Sequence, residues 1–131
     1  MDRRRQIDWL LRFAIAGSFV GHGAYGAILQ KDAWFGYFAV LGISSQTVIA
    51  NGLFTGIGVA EMGMGLLALA FPAPAALLCL AVWKIFFELL RPAAGEPFWE
   101  FVERASNMVA PLALFYIRRP TSLGHWFIAG D

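Results

Sequence analysis

The chain has 131 residues, 59% of them hydrophobic and only 15% charged, with a mean hydropathy of +0.62. A soluble domain of this size carries about a quarter charged residues, so the balance is that of a polytopic membrane protein. A net charge of +1 and the lack of an Arg/Lys array interleaved with aromatics argue against nucleic acid as a partner, and a single cysteine, Cys79, excludes intrachain disulfides and CxxC redox chemistry.

Residues 1–8 read as a short basic tail with Arg3, Arg4 and Arg5. The apolar run that follows is long and broken by Arg12, which favours a retained first span, about Trp9–Leu29, over a cleaved leader. Residues 30–46 form an aromatic linker suited to the membrane interface as a short helix or re-entrant piece, and Trp34, Phe35, Tyr37 and Phe38 suit equally a lipid-facing or interfacial place and a lid over an outer cavity. The second span is about Thr47–Phe71. Pro72 and Pro74 then force a tight turn. The third span is about Ala73–Leu90, the turn Arg91–Pro97 follows, and the fourth span is Phe98–Ile117. Trp126 and Phe127 in the C-terminal tail suit the interface. The expected fold is all-α: a single membrane-embedded domain forming a four-helix up-down bundle. Arg3, Arg4, Arg5, Arg118 and Arg119 on one side outnumber Lys31 and Arg91 on the other, which places both termini in the cytoplasm, with a bacterial inner membrane as the expected location.

Small residues mark where helices can approach. Gly52, Gly56 and Gly63 share one stripe of the second span and Gly58, Glu61 and Gly65 another; the first span offers Gly17 and Gly21, then Gly23 and Gly26. Seven charged residues lie within the spans: Arg12, Glu61, Lys84, Glu88, Glu100, Glu103 and Arg104. Each costs about 2.5–3.5 kcal/mol at the middle of an isolated span, so the set must be paired, wetted or near the ends. In the fourth span Glu100, Glu103, Arg104 and Asn107 fall within an arc of about 100° on a continuous helix, and Pro111 frees the carbonyl of Asn107 beside them.

Depth along the spans predicts one polar chamber open to the outside. It holds His22, Lys84, Glu103 and Arg104, with Glu88 and Glu100 shallower and an Arg12–Glu61 pair beneath. Lys84 and Glu88, four apart, are expected to pair along their helix. Four carboxylates face three fixed cations. The surplus carboxylate is protonated, solvated, or matched by a bound cation or a protonated His22, which points to proton handling rather than helix pairing alone. His22 sits between Gly21 and Gly23 with Ser18 one turn away. It is foremost a network residue and next a ligand contact; haem ligation is disfavoured because the other histidine, His125, lies in the tail. No His/Cys/Asp/Glu spacing suits zinc.

Two stretches, RFAIAGSFVGHGAYG in the first span and GVAEMGMGLLAL in the second, resemble the DoxX-like family of small four-span membrane proteins. Arg12 matches that family's early arginine and Glu61 its second-span glutamate, whereas Lys31 comes later than the family's lysine. Members include a subunit associated with thiosulfate:quinone oxidoreduction, so the resemblance implies a redox-linked or quinone-adjacent role. The resulting expectation is a chamber for a small amphipathic, quinone-like ligand, with His22 and Arg104 hydrogen bonding to it, Glu61 and Glu103 handling protons, and Arg12, Lys84, Glu88 and Asn107 completing the set. Two alternatives stand beside it. One is a non-enzymatic accessory subunit or assembly factor that meets a membrane-protein partner. The other is a proton-coupled transporter acting as a homo-oligomer.

Overall fold

A computed structural model of the chain, which describes residues 1–130, is all-α, with no strand among the described residues. Helix α1 spans Arg3–Ala27, so most of the expected tail is helical. The reason is local: the Asp2 side chain accepts a hydrogen bond from the Arg5 backbone N–H at 2.8 Å and caps the helix six residues earlier than the apolar pattern suggests.

The aromatic linker folds as two short helices, α2 (Ala33–Val40) and α3 (Ser45–Ala50). Instead of covering a cavity, Trp34, Tyr37 and Phe38 are buried in a core with Val48, Phe54, Phe87 and Leu90. The expected second span, Thr47–Phe71, is divided. Gly52 takes the left-handed conformation (φ 59°), which ends α3 and caps the start of α4 (Leu53–Ala70). Pro74 opens α5 (Pro74–Ala93) at the first-turn position where proline is tolerated. This helix runs through Arg91, past the expected end at Leu90.

The fourth span is also divided, into α6 (Phe98–Glu103) and α7 (Ala105–Ile117). The break falls at Arg104 (φ −91°, ψ 11°), with tight three-residue backbone bonds on either side of it. Pro111 is accommodated inside α7 and does not cause the break. A 3-10 turn at Leu123–Trp126 follows.

Helices α1 and α4 make the most extensive contact, and α7 lies against both α5 and α1. The α1–α4 approach depends on missing side chains: a Cβ on Gly58 would stand 2.5 Å from the Ala27 nitrogen and the Gly23 carbonyl oxygen. A second core, built on Ile15, Phe19, Ala68, Leu77, Leu80 and Leu114, lies toward the end where the termini meet. Trp83 packs on both cores.

Candidate functional site

The charged side chains fall into three groups rather than one chamber. The central group joins three helices. Glu61 of α4 is completely buried (0% exposed). Its Oε1 accepts from Trp83 Nε1–H of α5 at 2.6 Å, and its Oε2 lies 2.5 Å from His22 Nδ1 of α1. Indole N–H can only donate, so Oε1 is committed as an acceptor and one proton is shared on the Oε2–Nδ1 line. The His22 ring stacks on Trp34 at 5.3 Å and meets the edge of Phe87 at 4.8 Å. Lys84 is 1% exposed, and its ammonium lies 4.6 Å over the Phe19 ring.

Two shielded polar atoms of this group have no hydrogen-bond partner among the described residues: His22 Nε2 and Ser18 Oγ. They belong to residues four apart, hence neighbours on one face of α1. Leaving such an atom unmatched costs about 1–3 kcal/mol.

The second group lies beyond the aromatic core. Glu88 accepts from Arg91 Nε–H at 2.7 Å. Arg91 also donates to the Tyr37 hydroxyl oxygen at 2.9 Å and to Glu96 at 3.3 Å, while Tyr37 donates its O–H to Glu96 at 2.7 Å. Burial, then the hydrogen bond to Glu96, push the Tyr37 phenol well above its ordinary range. Arg104 Nε stands 3.9 Å from Glu88.

The third group ties the chain ends together. Asp8 accepts from Arg12 Nε–H at 2.8 Å and from Arg118 at 2.6 and 3.0 Å, and Arg12 also donates to the Leu69 carbonyl. Burial alone lifts the Asp8 carboxyl, yet Arg118 and then Arg12 outweigh it and hold it below its ordinary value of 3.8. A depressed folded-state value means that the stabilisation is complete above the unfolded value and is lost as pH falls through the folded one. Thermal melts should therefore show the wild type losing stability below about pH 4, with Asp8→Asn lower by about 2 kcal/mol at pH 7 and losing less than the wild type across the acid window.

Several expected contacts are corrected. Arg12 pairs with Asp8, not Glu61, because α1 starts early enough to place Asp8 one turn behind it. Lys84 forms no ion pair within 4.0 Å among the described residues; Glu88 turns to Arg91 instead. Glu103 is exposed, because the break at Arg104 ends the continuous face on which it was placed. Asn107 is half-buried on α7, and no side-chain bond joins it to the central group. Of the expected site residues, His22, Glu61 and Lys84 converge. Trp83, Tyr37, Arg91, Glu96, Asp8 and Arg118 were not anticipated. Two of these had a signal: Arg91 continues the Lys84–Glu88 stripe at i+3, and Asp8 precedes Arg12 by four.

No protein-family model, curated protein or solved structure matches this chain.

Proposed function

We propose that this is an integral membrane protein that holds a small, flat, hydrogen-bonding ligand of quinone type beside His22. In this reading α1, α4, α5 and the composite α6–α7 cross the bilayer up and down, with both termini on the arginine-rich, cytoplasmic side. Helix α4 is apolar enough to span (mean hydropathy 1.7), yet only 28% of that stretch is buried, whereas the core helix of a soluble protein is mostly covered. Lys84, Glu88 and Arg91 of α5 are buried, while Val82, Ile85, Phe86 and Leu89 of the same helix face outward. Charge inward and hydrocarbon outward is the distribution lipid demands. The starts of α1 and α5 and the ends of α4 and α7 also gather around two neighbouring pockets at one end of the molecule.

The observation that carries the ligand assignment is a pair of shielded atoms on α1 without a partner among the described residues, Ser18 Oγ and His22 Nε2, the latter on a ring packed against Trp34 and Phe87. With its Nδ1 proton directed at Glu61, a neutral His22 presents Nε2 as an acceptor for a ligand hydroxyl; an imidazolium presents it as a donor to a carbonyl. Glu61 thereby sets which group is held, and Ser18 supplies a second contact. The test is titration of nanodisc-embedded protein with decylubiquinone and its quinol, followed by tryptophan quenching. His22→Ala should weaken binding about tenfold, the worth of one hydrogen bond. The exposed Glu103→Gln variant should bind as the wild type does. Equal binding by His22→Ala would remove the assignment.

A second reading, an accessory subunit seated on another membrane protein, draws on Gly17 and Gly21 of α1 and Gly56 and Gly63 of α4. All four are exposed, with nothing near the position of an added Cβ. Recovery of a stoichiometric membrane partner on gentle extraction, lost when Gly21 and Gly56 are changed to leucine, is the result that favours it.

A further inference from the structure

The pocket at the end where the termini meet has no part in the ligand site described above. It measures about 690 Å³ and lies between the first turns of α1, the end of α4 and the end of α7. Arg4, Arg5, Arg12 and Arg118 line it, against Asp2 and Asp8. Among the described lining residues, four guanidiniums against two carboxylates leave two positive charges in excess.

Three of these side chains, Arg4, Arg12 and Arg118, are held in place, while Arg5 is exposed and free to reach into the cleft. Asp8 clamps Arg12 and Arg118, and Arg4 donates to the Ile117 carbonyl. Most of their hydrogen-bonding capacity is nevertheless uncommitted. Of the five N–H donors on each guanidinium, Arg4 commits one and Arg12 two, and Arg5 commits none among the described residues. Planar donors fixed around a cleft match phosphate oxygens better than a flexible basic tail does. A neighbouring pocket of about 290 Å³ shares Arg4 and Arg118 and adds Arg119 and His125, which extends the positive field.

We propose that this pocket binds the phosphodiester headgroup of an anionic phospholipid. The proposal rests on the membrane-spanning reading, which puts this end at headgroup depth on the arginine-rich side. Trp9 and Phe71 also line the pocket and are both partly exposed, offering the apolar flank that a glycerol backbone and acyl chain need and a free phosphate does not. The guanidiniums would grip the phosphate while Asp8 keeps two of them aligned.

The experiment uses the full chain in phosphatidylcholine nanodiscs, with the thermal midpoint followed as phosphatidylglycerol is titrated in. The midpoint should rise with phosphatidylglycerol, and Arg5→Gln and Arg4→Gln should each raise the fraction needed for half the effect about fivefold. The Arg5 side chain makes no hydrogen bond or ion pair among the described residues, so its variant keeps the test valid if Arg4→Gln disturbs the fold. Arg3→Gln is the discriminating control, because Arg3 sits on the same helical turn but does not line the pocket; it should change the fraction less than twofold. An Arg3→Gln effect equal to that of Arg5→Gln would reduce the site to diffuse surface attraction and overturn the proposal. A midpoint indifferent to phosphatidylglycerol would also overturn it, as would the same rise from inorganic phosphate alone. Protein that enters the discs but ignores phosphatidylglycerol defeats only this site. Protein that stays monodisperse without detergent or lipid defeats the membrane reading itself.

Discussion

Glu61→Ala should destabilise the protein by about 3–5 kcal/mol, measured by denaturant unfolding in a constant detergent or lipid background. The carboxylate accepts from two buried donors on two other helices, His22 on α1 and Trp83 on α5. Its removal strands both, and it strips Lys84 of a neighbouring negative charge in a site where the ammonium has no ion pair within 4.0 Å among the described residues. Glu61→Gln separates stability from ligand chemistry. The amide oxygen can keep the Trp83 bond, while the amide nitrogen meets His22 Nδ1 and forces the ring proton to Nε2. That variant should stay within about 1.5 kcal/mol of the wild type. It should also reverse preference, holding the quinone carbonyl and losing the quinol hydroxyl. If Glu61→Ala unfolds at the same denaturant concentration as the wild type, the carboxylate is not the joint between the three helices.

The second large effect is steric. Gly58→Ala should lower stability by about 1–3 kcal/mol, the cost of overpacking, although alanine favours a helix over glycine by about 1 kcal/mol. The added carbon would press on backbone atoms of α1 at 2.5 Å, and backbone cannot step aside as a flexible side chain can. Gly56, two residues earlier on the same helix, has open space at that position, so Gly56→Ala should raise the midpoint slightly. Opposite signs from two identical substitutions on one helix are not explained by propensity. Two shifts of the same sign would mean that α1 and α4 do not meet where the structure places them.

The residues that could be read in advance share one property: their environment is set by their own helix. Glu61 stands alone in an apolar run between Gly58 and Gly65, a spacing that brings another backbone close to it, and it is buried. The proline turn at Pro72–Pro74 and the inward lean of Lys84 and Glu88 follow from the same local logic. What could not be read depends on chain direction. The break at Arg104 contains neither glycine nor proline, so a regular 100° step carries Glu103 to the wrong face. The Tyr37–Arg91–Glu96 group joins α2 to the end of α5 and the turn just after it, and no spacing rule relates Tyr37 to the other two. Asp8 was obscured by a cap. Asp2 starts the helix early, and only then does a residue of the supposed tail become the partner of Arg12.

The account stands on one distribution: ionised side chains face inward and the outward surfaces of α4 and α5 meet hydrocarbon. The native Cys79 gives direct access to it, being exposed on α5, about 8 Å along the helix from Pro74. A nitroxide is attached at Cys79, and at Val59→Cys and Val82→Cys in a Cys79→Ser background, in lipid discs. Relaxation is then compared between dissolved oxygen, which partitions into hydrocarbon, and a water-soluble nickel chelate. The account predicts that oxygen dominates at all three positions, more strongly at residues 59 and 82 than at residue 79, which lies nearer the helix end. Relaxation dominated by the nickel chelate at residues 59 and 82 would contradict it, because those surfaces would then face water.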